Sequence, residues 1–283
     1  MTRLKQLLLI LTVLIANKSF AEGVFTDLDE AIHDKYHVHC LRITYRMLKE
    51  IPDVLDQFPN LVEINFSSNR IEALPPSLFR CKKLKKVILF RNRISVLPED
   101  ISKLNKLEVL TLGSNNLSII PASIGDISSL TELNLANNHL HTLPTSIGKL
   151  EHLKTLRLAL NEIDSLPNEI TMLKGLDFLD ISNNRLESIP DNIGGLTGLK
   201  FLYMGQNRLH VLPASIGNCA ELQELDVVRC GVLSLPNAIS ELRKLEDVYI
   251  DDMVIPFYQN TRMKFRQQIH VISAGNSMYR SSQ

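Results

Sequence analysis

The chain has 283 residues, of which 45% are hydrophobic, and its 31 basic and 31 acidic residues give a formal net charge of zero at pH 7. Nucleic-acid-binding proteins carry clustered basic surface, so this balance argues against nucleic acid as a partner. The four cysteines, Cys40, Cys81, Cys219 and Cys230, are too widely spaced for a zinc motif or a dense disulfide framework.

The first 21 residues have the layout of a secretory signal peptide. Two basic residues precede an apolar run over residues 7–16, and Ser-Phe-Ala at residues 19–21 is a small-x-small cleavage site. The run is shorter than the roughly 20 apolar residues that span a bilayer, and no cysteine follows it closely, as a bacterial lipoprotein would require. Cleavage after Ala21 removes three basic and no acidic residues, which changes the net charge from 0 to −3. We therefore expect a secreted or periplasmic protein without a membrane span.

Residues 22–37 are expected to form an N-terminal cap. Thr26 is followed by acidic residues that favour a first helical turn, which predicts a short amphipathic helix over residues 26–36 with Thr26 as its cap. Potential metal ligands occur here at His33, His37 and His39, but such residues are common in capping regions, and we expect no metal site.

A 23-residue repeat follows the cap. Residues 107–129, 130–152 and 153–175 align without a gap, and the same period extends over residues 38–256, which gives ten units. A buried Asn can satisfy exposed backbone groups where the chain turns out of a strand, because its amide offers two donors and an acceptor. One position of the unit reads Arg46, Asn69, Asn92, Asn115, Asn138, Asn161, Asn184, Asn207, Cys230, Met253.

Seven further positions of each unit are apolar and are expected to point inward. In one unit they are Leu107, Leu110, Leu112, Leu117, Ile120, Ile124 and Ile127. Cys81 and Cys219 occupy the position of Ile127 and are therefore expected to be core residues. A Leu-Pro or Ile-Pro pair follows each strand, and because Pro opens a helical turn, the convex segment is predicted to be a short turn.

The spaced leucines, the Asn column and the Leu-Pro-x-x-Ile-Gly-x-Leu-x-x-Leu form resemble the leucine-rich-repeat family, in a subtype shared by many bacterial and plant proteins. The resemblance covers residues 38–256. It implies the α/β class: a right-handed leucine-rich-repeat solenoid, or horseshoe, with a concave parallel β-sheet, short convex turns and an N-terminal capping helix. Members of the family bind very different partners, so the resemblance does not identify a ligand.

Exposed strand residues should form columns across the concave sheet, because parallel strands lie about 4.8 Å apart. Cys40 is expected in one such column. Phe178, Phe201 and Tyr203 fall on neighbouring strands where the core does not need them, which favours a binding site. The alternative is that the C-terminal cap covers them. The predicted partner-binding residues are Phe178, Phe201, Tyr203, Arg157, Asp180, Asp226, Tyr249 and Leu160.

The two ends of this face differ in charge. The acidic end favours a basic partner or a calcium ion, although charges on a last strand also prevent edge pairing. The other end is basic and apolar, so a partner of opposite polarity along its length would suit the gradient. The acidic residues are Glu224, Asp226, Asp247, Asp251 and Asp252, and the basic end holds Arg42, Lys86 and Arg91 with Ile88 and Phe90.

The C-terminal residues 257–283 have lost the period. They contain scattered apolar residues, which predicts a C-terminal cap with a loose end from about Ser273. Residues 194–198 resemble a phosphate loop only superficially, because the repeat register places them on the convex turn.

The expected function is non-catalytic: an exported monomer that binds a partner protein on the concave face. The alternative is a secreted bacterial virulence factor that engages a host protein. An enzyme is the least favoured reading, because the sequence has no nucleophile elbow or zinc-protease motif and the repeats leave no room for a separate catalytic domain. No cofactor or metal is expected.

Overall fold

A single parallel sheet of twelve strands, in sequence order, organises the protein in this computed structural model. The structure describes residues 23–231 and 235–251 and the backbone of residues 270–274. The predicted signal peptide and residues 257–269 of the predicted C-terminal cap lie outside this range. The strands are β1 Val24–Phe25, β2 Cys40–Arg42, β3 Glu63–Asn65, β4 Lys86–Ile88, β5 Val109–Thr111, β6 Glu132–Asn134, β7 Thr155–Arg157, β8 Phe178–Asp180, β9 Phe201–Tyr203, β10 Glu224–Asp226, β11 Asp247–Asp251 and β12 His270–Ala274.

Each residue of a strand lies opposite the equivalent residue of the next repeat in the neighbouring strand. Leu133 of β6, for example, lies opposite Leu110 of β5 and Leu156 of β7. The residue between two exposed strand positions therefore always points to the same side, and Leu110, Leu112 and their counterparts are fully buried. Burying an aliphatic side chain stabilises the fold by roughly 1.5–3 kcal/mol, which ordering of the chain largely offsets, so neighbouring coils stabilise one another.

The convex side consists of short 3₁₀ helices, as predicted. In most coils a Pro precedes the first helical residue, and its fixed φ sets the entry into the turn. Each of these helices spans only three or five residues before the chain turns into the next coil. The 3₁₀ helices are Leu55–Gln57, Pro76–Arg80, Glu99–Lys103, Ala122–Asp126, Thr145–Lys149, Asn168–Met172, Ile193–Gly195, Ala214–Asn218 and Asn237–Glu241.

The N-terminal helix differs from its prediction. Helix α1 spans Leu28–His33, and its cap is Asp27 rather than Thr26, because one Asp27 carboxylate oxygen accepts the backbone N–H groups of Asp29 and Glu30. The residues before it form β1, which pairs with β2. The first coil is thus covered by a strand as well as by the helix.

The Asn column forms a continuous hydrogen-bond ladder through the coils. The amide nitrogen of Asn138 donates to the carbonyls of Leu112 and Leu135, at 3.0 and 2.9 Å, and its oxygen accepts the N–H of Leu117 at 3.0 Å. Asn115 makes the same three bonds one coil earlier. This confirms the role predicted for the column.

Cys230 replaces Asn in this ladder. Its thiol donates to the carbonyl of Met204 at 2.7 Å and so reproduces one of the Asn bonds, but sulfur is a poor substitute for the amide oxygen as an acceptor. The residue after it, Gly231, has a φ of +79°, and Met47, which follows Arg46 at the same repeat position, has a φ of +57°. At these two places, where the column lacks Asn, the next residue takes the left-handed conformation.

A second column of left-handed residues runs along the turn that follows the strands. Except for Arg229, these residues donate their N–H groups to a carbonyl of the next coil, as Leu160 does to Ser182 at 3.0 Å, and Arg229 donates to the carboxylate of Asp251 at 2.9–3.0 Å. The column reads Tyr45, Ser68, Arg91, Ser114, Asn137, Leu160, Asn183, Gln206 and Arg229, with φ between +54° and +58°.

Strand β12 lies beyond the last recognisable repeat and pairs in parallel with β11 over five residues. Two expectations are corrected here. Ser273, predicted to begin a loose end, is inside β12. The acidic strand β11 is an interior strand with a partner on each side, so its charges do not serve to protect an edge.

Candidate functional site: the acidic-aromatic face

Acidic and aromatic side chains occupy the exposed positions on the concave side of β8–β11. The register places corresponding residues side by side in two columns. The core uses none of these positions, because the buried residue of each strand lies between them. We call this surface the acidic-aromatic face; it comprises Phe178, Phe201, Glu224 and Asp247 in the first column and Asp180, Tyr203, Asp226 and Tyr249 in the second.

The three predicted aromatic residues are in contact. The ring centre of Phe178 lies 6.3 Å from that of Phe201 and 5.4 Å from that of Tyr203, and the second pair meets edge to face. The guanidinium carbon of Arg157, on β7, lies 4.3 Å from the centre of the Phe178 ring. Phe178 is therefore the centre of the cluster, and Arg157, one of the predicted partner-binding residues, lies against it.

Glu224 connects the aromatic cluster to the acidic end. Its carboxylate lies near the hydroxyl groups of Tyr203 and Tyr249. Burial first, and then the charge of Glu224, raise the pKa of both tyrosines above the usual range, so both hydroxyls stay protonated at neutral pH.

Asp180 and Asp226 flank Tyr203 in the second column and line a pocket of about 230 Å³ with it. Each carboxylate accepts a backbone N–H two residues further on, Asp180 from Ser182 at 3.1 Å and Asp226 from Val228 at 2.8 Å. Burial, followed by the charges of Asp180, Glu224 and Asp251, raises the pKa of Asp226. The pocket is thus a region of concentrated negative charge.

Leu160 is a predicted site residue outside the aromatic cluster. It is 53% exposed and belongs to the left-handed column, between Asn137 and Asn183. Asn tolerates this conformation better than a bulky apolar residue, so the fold alone does not favour Leu here.

The opposite end of the concave side is basic and partly apolar, as expected. Lys86 and Arg91 are exposed, and Phe90 is 38% exposed. Arg42 pairs with Glu63 at 3.6 Å, which reduces its charge toward a partner. Cys40 does not contribute: it was expected on the exposed column, but it is buried in the first coils, next to β1.

A large cavity between described residues lies elsewhere, on the convex side, and was not predicted from the sequence. It has a volume of about 1050 Å³ and is lined by Glu151, Met172 and Lys174 among others. It opens at Gly195, which has no side chain at the repeat position that Met172 and Asn218 occupy in the neighbouring coils. A Cβ on Gly195 would lie 2.6 Å from the carbonyl oxygen of Thr171, so coil packing explains the glycine. The Gly-Gly sequence at residues 194–195 was the sequence feature that could have indicated this cavity.

The described residues contain no group of three or more His, Cys, Asp or Glu side chains placed to hold a metal ion. Within the same residues no helix is long and apolar enough to cross a membrane. Cys81 and Cys219 are buried, as predicted, and burial raises their pKa values to about 12 and about 11. These thiols are core residues and not nucleophiles.

Sequence comparison identifies the repeats. A model described as "Leucine-rich repeat region" matches residues 138–250, and one described as "Leucine rich repeat" matches residues 59–117 and 82–140. The chain is a leucine-rich-repeat protein. It has no significant sequence match among curated proteins.

Solved leucine-rich-repeat structures are similar to this protein. One from Leptospira interrogans has 24% identity and a TM-score of 0.61 over 88% of this chain and 76% of its own, a likeness that shows the fold alone. The ectodomain of the receptor kinase GASSHO1/SCHENGEN3 from Arabidopsis thaliana, in complex with CASPARIAN STRIP INTEGRITY FACTOR 2, has 28% identity and a TM-score of 0.66 over 76% of this chain.

A plant peptide hormone receptor, RGFR1 in complex with RGF2, has 28% identity and a TM-score of 0.63, again over 76% of this chain. The match covers only 28% of the GASSHO1 chain and 41% of the RGFR1 chain. The similarity to the two plant receptors therefore concerns part of their length.

Proposed function

We propose that this leucine-rich-repeat protein is an exported, non-catalytic binding module that holds a partner protein on the acidic-aromatic face. The observation that carries the proposal is the aromatic cluster of Phe178, Phe201 and Tyr203. The side chains touch one another on the solvent side of the sheet, whereas the core lies on the opposite side.

Phe178, Phe201 and Tyr203 are half-buried in the unbound protein, and aromatic clusters of this kind contribute strongly to protein interfaces, because a ring buries a large area at a small cost in conformational entropy. Two of the similar plant structures contain a receptor in complex with a second molecule, which supports a binding role for this chain. The convex cavity is a weaker candidate, because close packing between coils already explains the glycine at Gly195 that lines it.

Export is part of the proposal and rests on residues 1–21. The test is to express the full chain with a C-terminal tag and to determine the N-terminus of the product outside the cytoplasm. We expect a product that begins at Glu22. A product that retains Met1 in the cytoplasm would contradict export and leave the binding site unaffected.

The binding site is tested by affinity capture with the mature protein, residues 22–283. The variant F178A/F201A/Y203A should lose the captured partner. The matched control is V96A/I119A/V211A, which removes three side chains that are 65%, 73% and 69% exposed away from the concave side.

The control should capture the partner as the unmodified protein does. Circular dichroism must show that both variants are folded. If both variants capture the partner equally well, the acidic-aromatic face is not the binding site.

A further inference from the structure

The acidic-aromatic face carries more negative charge than its structure requires. Asp180 and Asp226 each accept the backbone N–H of the residue two positions later. Asn65 and Asn134, at the same repeat position, make the same bond with an uncharged amide, at 3.0 and 3.1 Å. A neutral side chain therefore satisfies the turn, and the charge of the two aspartates has no structural role there.

Three of these carboxylates, on Asp180, Glu224 and Asp226, form no ion pair within the described part of the chain, and Arg157, opposite Asp180 in the register, has its guanidinium over the Phe178 ring. No lysine, arginine or histidine among the described residues forms an ion pair with Asp180, Glu224 or Asp226. Some acidic residues elsewhere are paired, as Glu162 is with Arg185 at 2.7 Å. Like charges that are close together and partly buried raise the free energy of the unbound protein, and an incoming cation would relieve this cost.

The aromatic residues add a second preference for a cation. A guanidinium or ammonium group is attracted to the face of an aromatic ring, and more strongly when it is removed from water. Arg157 demonstrates this within the protein, because its guanidinium already covers Phe178 at 4.3 Å. Tyr203 lies on the other side of Phe178, next to the carboxylates of Asp180 and Asp226 and the pocket of about 230 Å³.

We propose that the partner is a polypeptide with a cationic segment, and that an arginine side chain of this segment binds between Tyr203 and the carboxylates of Asp180 and Asp226. This inference rests on the proposed function and names the chemistry of the ligand. The guanidinium would make bidentate hydrogen bonds to a carboxylate and would stack flat on the tyrosine ring, whereas a lysine ammonium would be attracted to both only as a point charge, without the bidentate or stacking geometry.

The test uses three synthetic octapeptides: Gly-Arg, Gly-Lys and Gly-Gln repeats of the same length. Binding to the mature protein is measured by fluorescence anisotropy at low and high salt. The test variant is D180N/D226N, which keeps the acceptors of both backbone hydrogen bonds. The control is E151Q/D191N, which changes the net charge equally at the convex groove.

We expect the arginine peptide to bind more tightly than the lysine peptide, and the glutamine peptide not to bind. D180N/D226N should weaken binding of the arginine peptide by about tenfold or more, the loss of about 1.4 kcal/mol, and the control by less than about twofold. High salt should weaken the remaining interaction.

Equal effects of the two variants, or no binding of the arginine peptide, would overturn the inference. So would binding of calcium ions at this site without binding of the peptide. If F178A/F201A/Y203A abolishes capture of the partner but D180N/D226N does not, the proposed function stands and the cationic ligand is wrong. If the aromatic variant still captures the partner, the proposed function is wrong.

Discussion

The guanidinium of Arg157 lies 4.3 Å from the centre of the Phe178 ring and so joins β7 to the aromatic cluster on β8 and β9. The same ring contacts Phe201 and Tyr203. We predict that F178L, which keeps apolar bulk but removes the ring, lowers the free energy of unfolding by about 1–2 kcal/mol and reduces partner capture. Urea denaturation and affinity capture measure the two effects. M172L, on the convex side, is the control and should change neither.

The Asn ladder allows a test with adjacent residues. N115A removes two donors and one acceptor from buried backbone groups and should destabilise the protein by about 3 kcal/mol or more. Asn116 is exposed, so N116A should cost less than about 0.5 kcal/mol. Similar midpoints of urea denaturation for the two variants would refute the role assigned to the ladder.

Introducing an Asn at Cys230 tests the ladder in the opposite direction, by adding a missing amide. C230N should raise the free energy of unfolding by about 1 kcal/mol, because Asn restores the acceptor that the thiol supplies poorly. C219N introduces the same side chain at a buried apolar position and should destabilise the protein. Thermal denaturation of both variants compares the two sites. A destabilising C230N would mean that this coil has adapted to the thiol.

The pKa of Asp226 predicts a dependence on pH. Because burial and neighbouring carboxylates raise its pKa in the folded state, the charged form destabilises the protein at neutral pH. D226N should therefore be more stable than the unmodified protein at pH 7. The difference should shrink as the pH falls through the raised pKa and vanish below the ordinary range of an unfolded aspartate. Denaturation curves over this pH series measure it, and a constant difference would argue against the shift.

Substitution of Leu160 tests whether a strained left-handed residue is retained because its side chain binds the partner. L160N introduces the residue that Asn137 and Asn183 use at the same left-handed position, and should stabilise the protein by up to about 1 kcal/mol. It also removes an exposed apolar side chain, so partner capture should weaken. N183L is the reciprocal control and should lower stability. Unchanged capture by L160N would remove Leu160 from the site.

The sequence predicted the fold because the constraints repeat. Ten units made the inward leucines and the Asn column visible, and the structure confirms both in the described coils. The aromatic cluster could also be predicted, since in-register strands bring Phe178 and Phe201 side by side.

Features that depend on a single residue or on the backbone were not predicted. The helix cap is Asp27, one residue after the predicted Thr26. Strand β1, which covers Cys40, has no repeat pattern in its sequence from which it could be predicted. The left-handed column is hidden in the sequence, because residues as different as Tyr45, Arg91 and Leu160 occupy it.

The left-handed column tolerates such different side chains because backbone hydrogen bonds determine the conformation of the turn. Main-chain hydrogen bonds to the next coil and the buried Asn ladder fix the backbone, and the side chains of the left-handed column take no part in those bonds. Selection can therefore replace these side chains, and those of the concave columns, one coil at a time without disturbing the architecture. A duplicated gene could acquire a new ligand by a few surface changes while keeping the same fold.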